Sequence, residues 1–125
     1  MHDETLSFWE PGAPNFEDRY TSLKSAFFMG FKTSISIEPF LDYNPIPLVE
    51  KIRPFVTESI WIGKMNYIAR NGVTLLDRPY YDSIRQNYHL KHILEIYDNY
   101  KTDPLIRWKD SIKKMLMLEK IRIKN

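Results

Sequence analysis

The sequence predicts an α/β protein in which two or three parallel strands and four helices form part of a larger fold. Stripes of apolar residues with helical spacing alternate along the chain with short β-branched segments, which is typical of this class. A strand, a short helix and a second strand within about 35 residues indicate a βαβ unit with parallel strands. Parallel sheets are normally larger and buried on both faces. So small a sheet therefore indicates a portion of a bigger α/β fold.

The composition excludes several classes of protein. The 125 residues suit one domain, and the chain contains no cysteine. A disulfide framework, a cysteine-ligated zinc ion, an iron–sulfur cluster held by this chain and a cysteine nucleophile are all excluded. The sequence shows no signal peptide and no apolar run approaching about 18 residues, so we expect no membrane association and a cytoplasmic location.

The first third of the chain contains one well-marked helix. Asn15 is a candidate N-cap, Asp18 suits the positive helix N-terminus, and Gly30 suits a left-handed stop after Met29. The short mixed run 4–9 fits either a strand or one helical turn. The apolar stripe of the helix contains Tyr20, Leu23, Ala26 and Phe27.

The middle of the chain contains the βαβ unit. Residues 31–37 and 59–65 have strand composition, and a helix between them is expected to begin at Asn44-Pro45 and to end at Pro54. The two strands should be parallel neighbours. The helix should direct three apolar residues inward, namely Leu48, Val49 and Ile52.

The last third is predicted to be helical after a loop over 67–80. One long helix is expected over Tyr81–Tyr100, and Asp103-Pro104 should cap a last helix. Residues 1–78 would thus contain the βα units, and residues 79–125 a helical pair packed on them. The apolar stripe of the last helix would contain Leu105, Trp108, Ile112, Met115 and Leu116.

Three segments carry a resemblance to a known family. They are residues 8–14 followed by Arg19, residues 30–39, and residues 60–66, read as FWEPGAP, GFKTSISIEP and IWIGKMN. Their order and spacing resemble the C-terminal part of radical S-adenosylmethionine proteins related to spore photoproduct lyase, often called DNA-repair-photolyase-like. The resemblance covers residues 3–68 and implies a C-terminal fragment of a partial (β/α) TIM-like barrel, which keeps the fifth and sixth strands. It also implies that 3–9 is helical.

The resemblance implies an activity that this chain cannot carry alone. Such enzymes cleave S-adenosylmethionine reductively at a [4Fe–4S] cluster and abstract hydrogen from a substrate. A loop with three cysteines holds the cluster, and this chain has no cysteine. We therefore expect an inactive C-terminal portion, severed by truncation, frameshift or gene fission. A chain carrying the missing N-terminal half would be its partner, and a lone fragment should self-associate.

Five residues are implied to contact S-adenosylmethionine, while no catalytic or metal-binding residue is assigned. Glu38 lies at the end of the first strand and Lys64 and Asn66 at the end of the second, Ser36 lies within the first, and Glu10 precedes the first long helix. In barrels the working residues gather at the carboxyl ends of strands. A carboxylate can accept from ribose hydroxyls, an amide can bind an adenine edge and a lysine can pair a carboxylate.

Each of these residues also has a structural interpretation. Glu10 and Glu38 fit loop carboxylates paired with Arg19 or Lys64. Lys64 also fits a surface lysine, and Ser36 an ordinary strand serine. A glycine before Lys64 would let the backbone approach a flat ring.

Three other functional readings remain open. A non-catalytic module could bind nucleic acid or protein through the basic end, since residues 104–125 carry a net charge of +5 against −5 for residues 1–18. The Trp and Tyr residues within 78–109 fit base stacking or a core.

His89 and His92 stand three residues apart, as a pair of metal ligands on one helix face would, but no third ligand follows at a suitable spacing. Glu10 and Glu38 could also serve as an acid–base pair.

Overall fold

The computed structural model describes residues 3–124, with side chains described through Met117. Within this range the chain forms six α-helices, one 3-10 helix and three strands. The helices are α1 (Asp3–Trp9), α2 (Phe16–Phe28), α3 (Ile46–Ile52), α4 (Arg78–Asn87), α5 (Leu90–Tyr100) and α6 (Asp110–Lys124), with the 3-10 helix at Arg53–Phe55. The strands are β1 (Ser34–Ile37), β2 (Ser59–Ile62) and β3 (Ile106–Trp108).

The three strands form one parallel sheet in the order β1-β2-β3. Ile35 lies opposite Ile60, and Ile60 lies opposite Ile106. The α/β class and the parallel pairing of the first two strands are confirmed. The third strand comes from the region for which the sequence predicted only helices, and there are six helices rather than four.

The local signals around α2 are confirmed. The Asn15 side chain accepts a hydrogen bond of 2.9 Å from the Asp18 backbone N–H, which satisfies one of the unpaired donors of the first turn. Gly30 has a φ of 85°, the left-handed conformation that follows many helices and that glycine adopts without steric cost.

The N-terminal segment is helical, as the family resemblance implied, and the alternative strand reading of 4–9 is wrong. Aromatic rings attach α1 to α4. Phe8 stacks on Tyr80 with 4.1 Å between ring centroids, and the Tyr80 hydroxyl donates a 2.6 Å hydrogen bond to Glu4. These contacts join residues more than 70 positions apart in the sequence, so local sequence patterns could not predict them.

A reciprocal pair of hydrogen bonds joins the residues that precede β1 and β2. The Thr33 N–H donates to Thr57 Oγ1 at 2.7 Å, and the Thr57 N–H donates to Thr33 Oγ1 at 3.0 Å. We call this pair the threonine clasp. It holds the starts of the two strands in a single register, because each residue satisfies the backbone donor of the other.

The long helix predicted over Tyr81–Tyr100 is divided into α4 and α5, so that prediction is wrong. Asn87 and Tyr88 are buried and bind the loop that follows β1: the Asn87 amide donates to the Leu41 carbonyl at 2.8 Å, and the Tyr88 hydroxyl donates to the Phe40 carbonyl at 2.7 Å. His89 then adopts an extended conformation. These tertiary contacts break the helical stripe.

The helix cap predicted at Asp103-Pro104 is also wrong. The Asp103 carboxylate accepts from the Leu105 N–H at 3.0 Å and from Arg53 at 2.6 Å, so it shapes the turn into β3. The hydrogen bond from Arg53 is the largest cause that holds the pKa of Asp103 below its usual value, and the bond from the Leu105 N–H adds to it. The last helix begins only at Asp110, and Trp108 belongs to β3.

One apolar cluster covers one face of the sheet. Ile37, Ile60, Ile62 and Ile106 contribute from the strands, and all six helices add buried residues to the same cluster. The helical contributions are Leu6, Leu23, Leu48, Val49, Ile52, Ile84, Ile93, Ile96, Tyr100 and Ile112. Within residues 3–124, no helix is both long enough and apolar enough to cross a membrane.

Candidate functional site

The structure places three of the five predicted site residues after the ends of β1 and β2, and a fourth within β1. Glu38 directly follows β1, Lys64 and Asn66 follow β2, and Ser36 lies within β1. Parallel strands carry their carboxyl ends to the same edge of a sheet, where loops commonly build sites. Glu10 reaches the same region from the loop after α1.

A serine from α6 connects the ends of the two strands. The Ser111 hydroxyl donates to Glu38 Oε2 at 3.1 Å and accepts from the Lys64 backbone N–H at 3.1 Å. Ser111 is buried. Sequence reasoning missed it, because its placement depends on β3, which the pattern did not predict. Glu38 thus accepts from Ser111 rather than from Lys64.

The Glu38 side chain packs directly over Gly63. A Cβ atom built on Gly63 would lie 2.3 Å from Glu38 Oε2 and 2.7 Å from its Cγ. Any larger residue at this position would have to displace the Glu38 side chain. The sequence suggested that Gly63 leaves room for a flat ring to approach the backbone. In the structure the Glu38 side chain occupies that space.

Glu10, Ser36 and Glu38 line a cleft of about 220 Å³ beside β1, which we call the edge cleft. Glu10 Oε2 lies 3.3 Å from Arg19 Nη2, so the pairing considered from the sequence is present. Both side chains are about 40% exposed, so the pair contributes little to stability. The apolar wall of the edge cleft consists of Phe16, Tyr20, Leu23, Ile35, Leu48 and Ile52.

Lys64 and Asn66 lie in a different cleft, of about 540 Å³, formed by the loop after β2 and by α4. The five predicted residues therefore divide between two clefts and do not form one pocket. An acid–base pair of Glu10 and Glu38 has both members in the edge cleft, but each already has a partner, Arg19 and Ser111 respectively.

The sheet face opposite the apolar cluster carries polar side chains. Ser34 and Ser36 are exposed, Trp61 is half-buried, and Arg107 is exposed. The Trp61 indole donates to Ser59 Oγ at 3.0 Å, while Arg107 and Lys109 approach the Trp61 ring to 5.9 and 5.4 Å. These contacts link the side chains of this polar face to one another. Sequence reasoning could not place Arg107 beside Trp61 without β3.

The two histidines occupy different environments. His92 is buried and stacks on Tyr43 with 3.9 Å between ring centroids, and its Nε2 atom bonds the Tyr43 carbonyl. Its Nδ1 atom lies 3.9 Å from Glu95. His89 is exposed before α5. Among the residues whose side chains are described, no three His, Asp or Glu side chains are grouped to hold a metal ion.

Three aromatic residues of 78–109 belong to the core or pack against it, namely Tyr88, Tyr100 and Trp108. Tyr88 and Tyr100 are buried, and burial raises the pKa of Tyr100 to about 12. On α6, Lys113 and Lys114 are exposed. Arg107 and Lys109 of the predicted basic end lie beside Trp61, and the other basic side chains of that end, Lys120, Arg122 and Lys124, lie outside the described side chains.

The residues present do not fit the cofactors that the family resemblance implies. A chain without cysteine offers no thiolate for a [4Fe–4S] cluster. Glu10, Ser36 and Glu38 line one cleft and Lys64 and Asn66 another, so this chain alone does not build a single pocket for S-adenosylmethionine. No step of a reaction can be assigned to these residues on that basis.

No protein-family model matches this chain, and no curated protein or solved structure matches it either.

Proposed function

We propose that the chain is the C-terminal part of a (β/α) barrel of the radical S-adenosylmethionine type and is inactive without the strands that complete the sheet. The observation that carries the proposal is the one-sided parallel sheet. All six helices contribute to the cluster on one face, and the other face presents serines, Trp61 and Arg107. Parallel sheets are normally covered on both faces.

A barrel would explain why the helices cover only one face of the sheet. In a (β/α) barrel the helices form an outer ring, and the side chains on the other face of the strands fill the interior. Ser34, Ser36, Trp61 and Arg107 would then point into a barrel, where polar side chains can meet a ligand. The polar composition of this face supports a barrel interior that holds a ligand as well as packed side chains.

The β1 edge supports the same interpretation. The Thr33 and Ile37 carbonyls accept from the Glu58 and Gly63 N–H groups, both at 2.9 Å. Because hydrogen bonding alternates along a parallel pair, Ser34 and Ser36 direct their backbone groups away from β2. A further parallel strand can bind there, and the edge cleft would receive its side chains. The helix α2, which precedes β1, lines that cleft as a right-handed crossover would.

The family resemblance gives this barrel its class. The cluster would supply reductive cleavage of S-adenosylmethionine, and its cysteines would belong to the part that completes the barrel. In this proposal the present chain contributes the Glu38–Ser111–Lys64 hydrogen bonds that fix the ends of two strands. The proposal also favours the reducing cytoplasm, where thiolates remain available for a cluster.

The test begins with the DNA upstream of the Met1 codon. We expect a frame there that encodes three closely spaced cysteines after a strand. The encoded segment is then co-expressed with this chain, and co-purification and 5′-deoxyadenosine formation are measured after cluster reconstitution. If there is no such frame, or if the two parts do not co-purify, the proposal is wrong.

A pair of variants tests the role of the β1 edge. Ser36→Pro removes a backbone N–H that points away from β2, a position where an edge strand tolerates proline. We expect it to abolish co-purification while the chain stays folded. Ser36→Ala keeps the N–H and should co-purify normally. Loss of association with both variants would contradict pairing through the backbone of β1.

A non-catalytic binding module remains the second candidate, because Lys113 and Lys114 are exposed on the basic last helix. Nucleic-acid binding by this helix should weaken steeply with salt, since phosphate contacts release counterions. Salt-independent binding of an oligonucleotide, or none, would exclude this candidate.

A further inference from the structure

Two adjoining clefts meet between the loop after β2 and α4. One has a volume of about 540 Å³ and the other about 350 Å³, and both are lined by Arg70, Asn71 and Arg85. We call the two together the basic cleft. Their volumes lie in the range of small-molecule sites, which is about 300–1,000 Å³.

Four cationic side chains line the basic cleft: Arg70 and Arg85 line both parts, Lys64 lines the larger part and Arg78 the smaller part. The carboxylate in its wall is Asp82, whose Oδ1 atom lies 3.5 Å from Arg85 Nη1. Among the described side chains, no ion pair engages Lys64, Arg70 or Arg78. The cleft therefore carries a surplus of positive charge that its own walls do not neutralise.

Internal contacts hold one of these cations in place. Arg85 donates through Nη2 to the Ala69 carbonyl and lies 6.0 Å from the Tyr81 ring centroid, so it joins the loop to α4. The loop turns tightly at Asn71-Gly72, where Gly72 has a φ of 77°. Arg85 is thus a positioning residue of the cleft wall, while the exposed Arg70 and Arg78 are available to a ligand.

We propose that the basic cleft binds the phosphate groups of a small phosphorylated molecule about the size of a nucleotide. Guanidinium groups bind phosphate with two parallel hydrogen bonds, and lysine adds a point charge. Arg70 and Arg78 bind the phosphates and Lys64 adds charge from the larger part. Asn66 and Tyr67 line that part too, where they contact the organic portion. This site does not depend on the barrel proposal, since it lies wholly within this chain.

The test uses calorimetric titration of the full chain with inorganic pyrophosphate, with ADP and with a 12-nucleotide single-stranded DNA. We expect ADP and pyrophosphate to bind. Arg70→Gln combined with Arg78→Gln should weaken both by at least about tenfold, which corresponds to the loss of one charged hydrogen bond. Both arginines are exposed, so the double variant should keep its circular dichroism spectrum.

The matched control is Lys32→Gln combined with Lys91→Gln, which removes two exposed positive charges outside the basic cleft. It should leave both affinities within about twofold. Equal weakening by the two double variants would mean bulk charge alone and would overturn the proposal. Absence of ADP and pyrophosphate binding would overturn it as well. DNA binding that ADP does not displace would replace the small molecule with a nucleic-acid backbone.

Discussion

The two faces of the three-stranded sheet are built from alternate residues of the same strands. In β2, Ile60 and Ile62 point into the apolar cluster and are fully buried, whereas Trp61 between them lies half-buried on the polar face. In β3, Ile106 faces the cluster, while Arg107 is exposed on the polar face. Because side chains alternate along a strand, one short segment serves both purposes.

The two faces therefore contribute differently to the stability of the fold. Each fully buried isoleucine removes apolar surface from water, which stabilises the fold by about 1.5–3 kcal/mol. The polar face holds a hydrogen bond between an indole and a hydroxyl and two cation–aromatic contacts, at partly exposed positions. Those contacts contribute about 1 kcal/mol each at most. Substitutions on the polar face should therefore change the free energy of unfolding less than substitutions in the apolar cluster.

The largest expected effect compares neighbours in β2. Ile62→Ala leaves a cavity in the cluster and should lower the free energy of unfolding by about 3 kcal/mol. Trp61→Ala should lower it by about 1 kcal/mol, because its ring is partly exposed. Urea denaturation followed by circular dichroism measures both. Equal losses for the two variants would refute the division between the faces.

The second expected effect concerns the carboxyl ends of the strands, where Glu38 packs over Gly63. Gly63→Ala places a Cβ atom where the Glu38 side chain lies, so it should lower the free energy of unfolding by about 2 kcal/mol. In a Glu38→Ala background the same change should lower the free energy of unfolding by about 1 kcal/mol less, because the obstructing glutamate atoms are absent. A double-mutant cycle in urea measures the coupling. Additive effects would mean that the close approach does not constrain the fold.

The third expected effect lies at the contact between Arg53 and Asp103. Asp103→Asn should lower the free energy of unfolding at pH 7 by about 1 kcal/mol, because it removes a charged hydrogen bond. The pKa of Asp103 is lower in the folded chain, so its contribution is present above the unfolded value of about 4 and is lost as the pH falls through the folded value.

Urea denaturation between pH 3 and pH 7 checks this dependence. The difference between wild type and Asp103→Asn should shrink toward acid pH. Asp98→Asn is the control, because Asp98 lies 3.6 Å from Lys101 at an exposed position and should change stability little at any pH. A pH-independent difference for Asp103→Asn would show that the charge of Asp103 is not what stabilises the turn.

The smallest expected effect is on the polar face. Arg107→Gln should change the free energy of unfolding by less than about 0.5 kcal/mol, because its side chain is exposed. The tryptophan emission spectrum of the chain should respond nonetheless, because the guanidinium lies 5.9 Å from the Trp61 ring. A loss above about 1 kcal/mol would mean that the polar face also supports folding.

Local signals predicted part of this fold, and tertiary contacts decided the rest. The Asn15 cap and the Gly30 stop are short-range features, and both are present. The break between α4 and α5 depends on Asn87 and Tyr88 binding a loop some 46–48 residues away. β3 contains three residues embedded in a stripe with helical spacing, so periodicity could not reveal it.

The candidate site shows the same limit. That Glu38, Lys64 and Asn66 lie near strand ends could be predicted from the β-branched segments before them, although β2 ends at Ile62 and not at the predicted residue 65. Their separation into two clefts could not, because Ser111 enters between the strand ends from α6. The position of Ser111 depends on β3 and therefore on the whole chain.

The threonine clasp has a consequence for the order of folding. Pairing β1 with β2 joins residues 25 apart, whereas pairing β2 with β3 joins residues 46 apart. Loop-closure entropy alone favours the first pairing by roughly 0.5 kcal/mol. Thr33 and Thr57 add two hydrogen bonds at the closure point. The β1–α3–β2 unit can therefore nucleate folding, and β3 then joins a template whose register is already set.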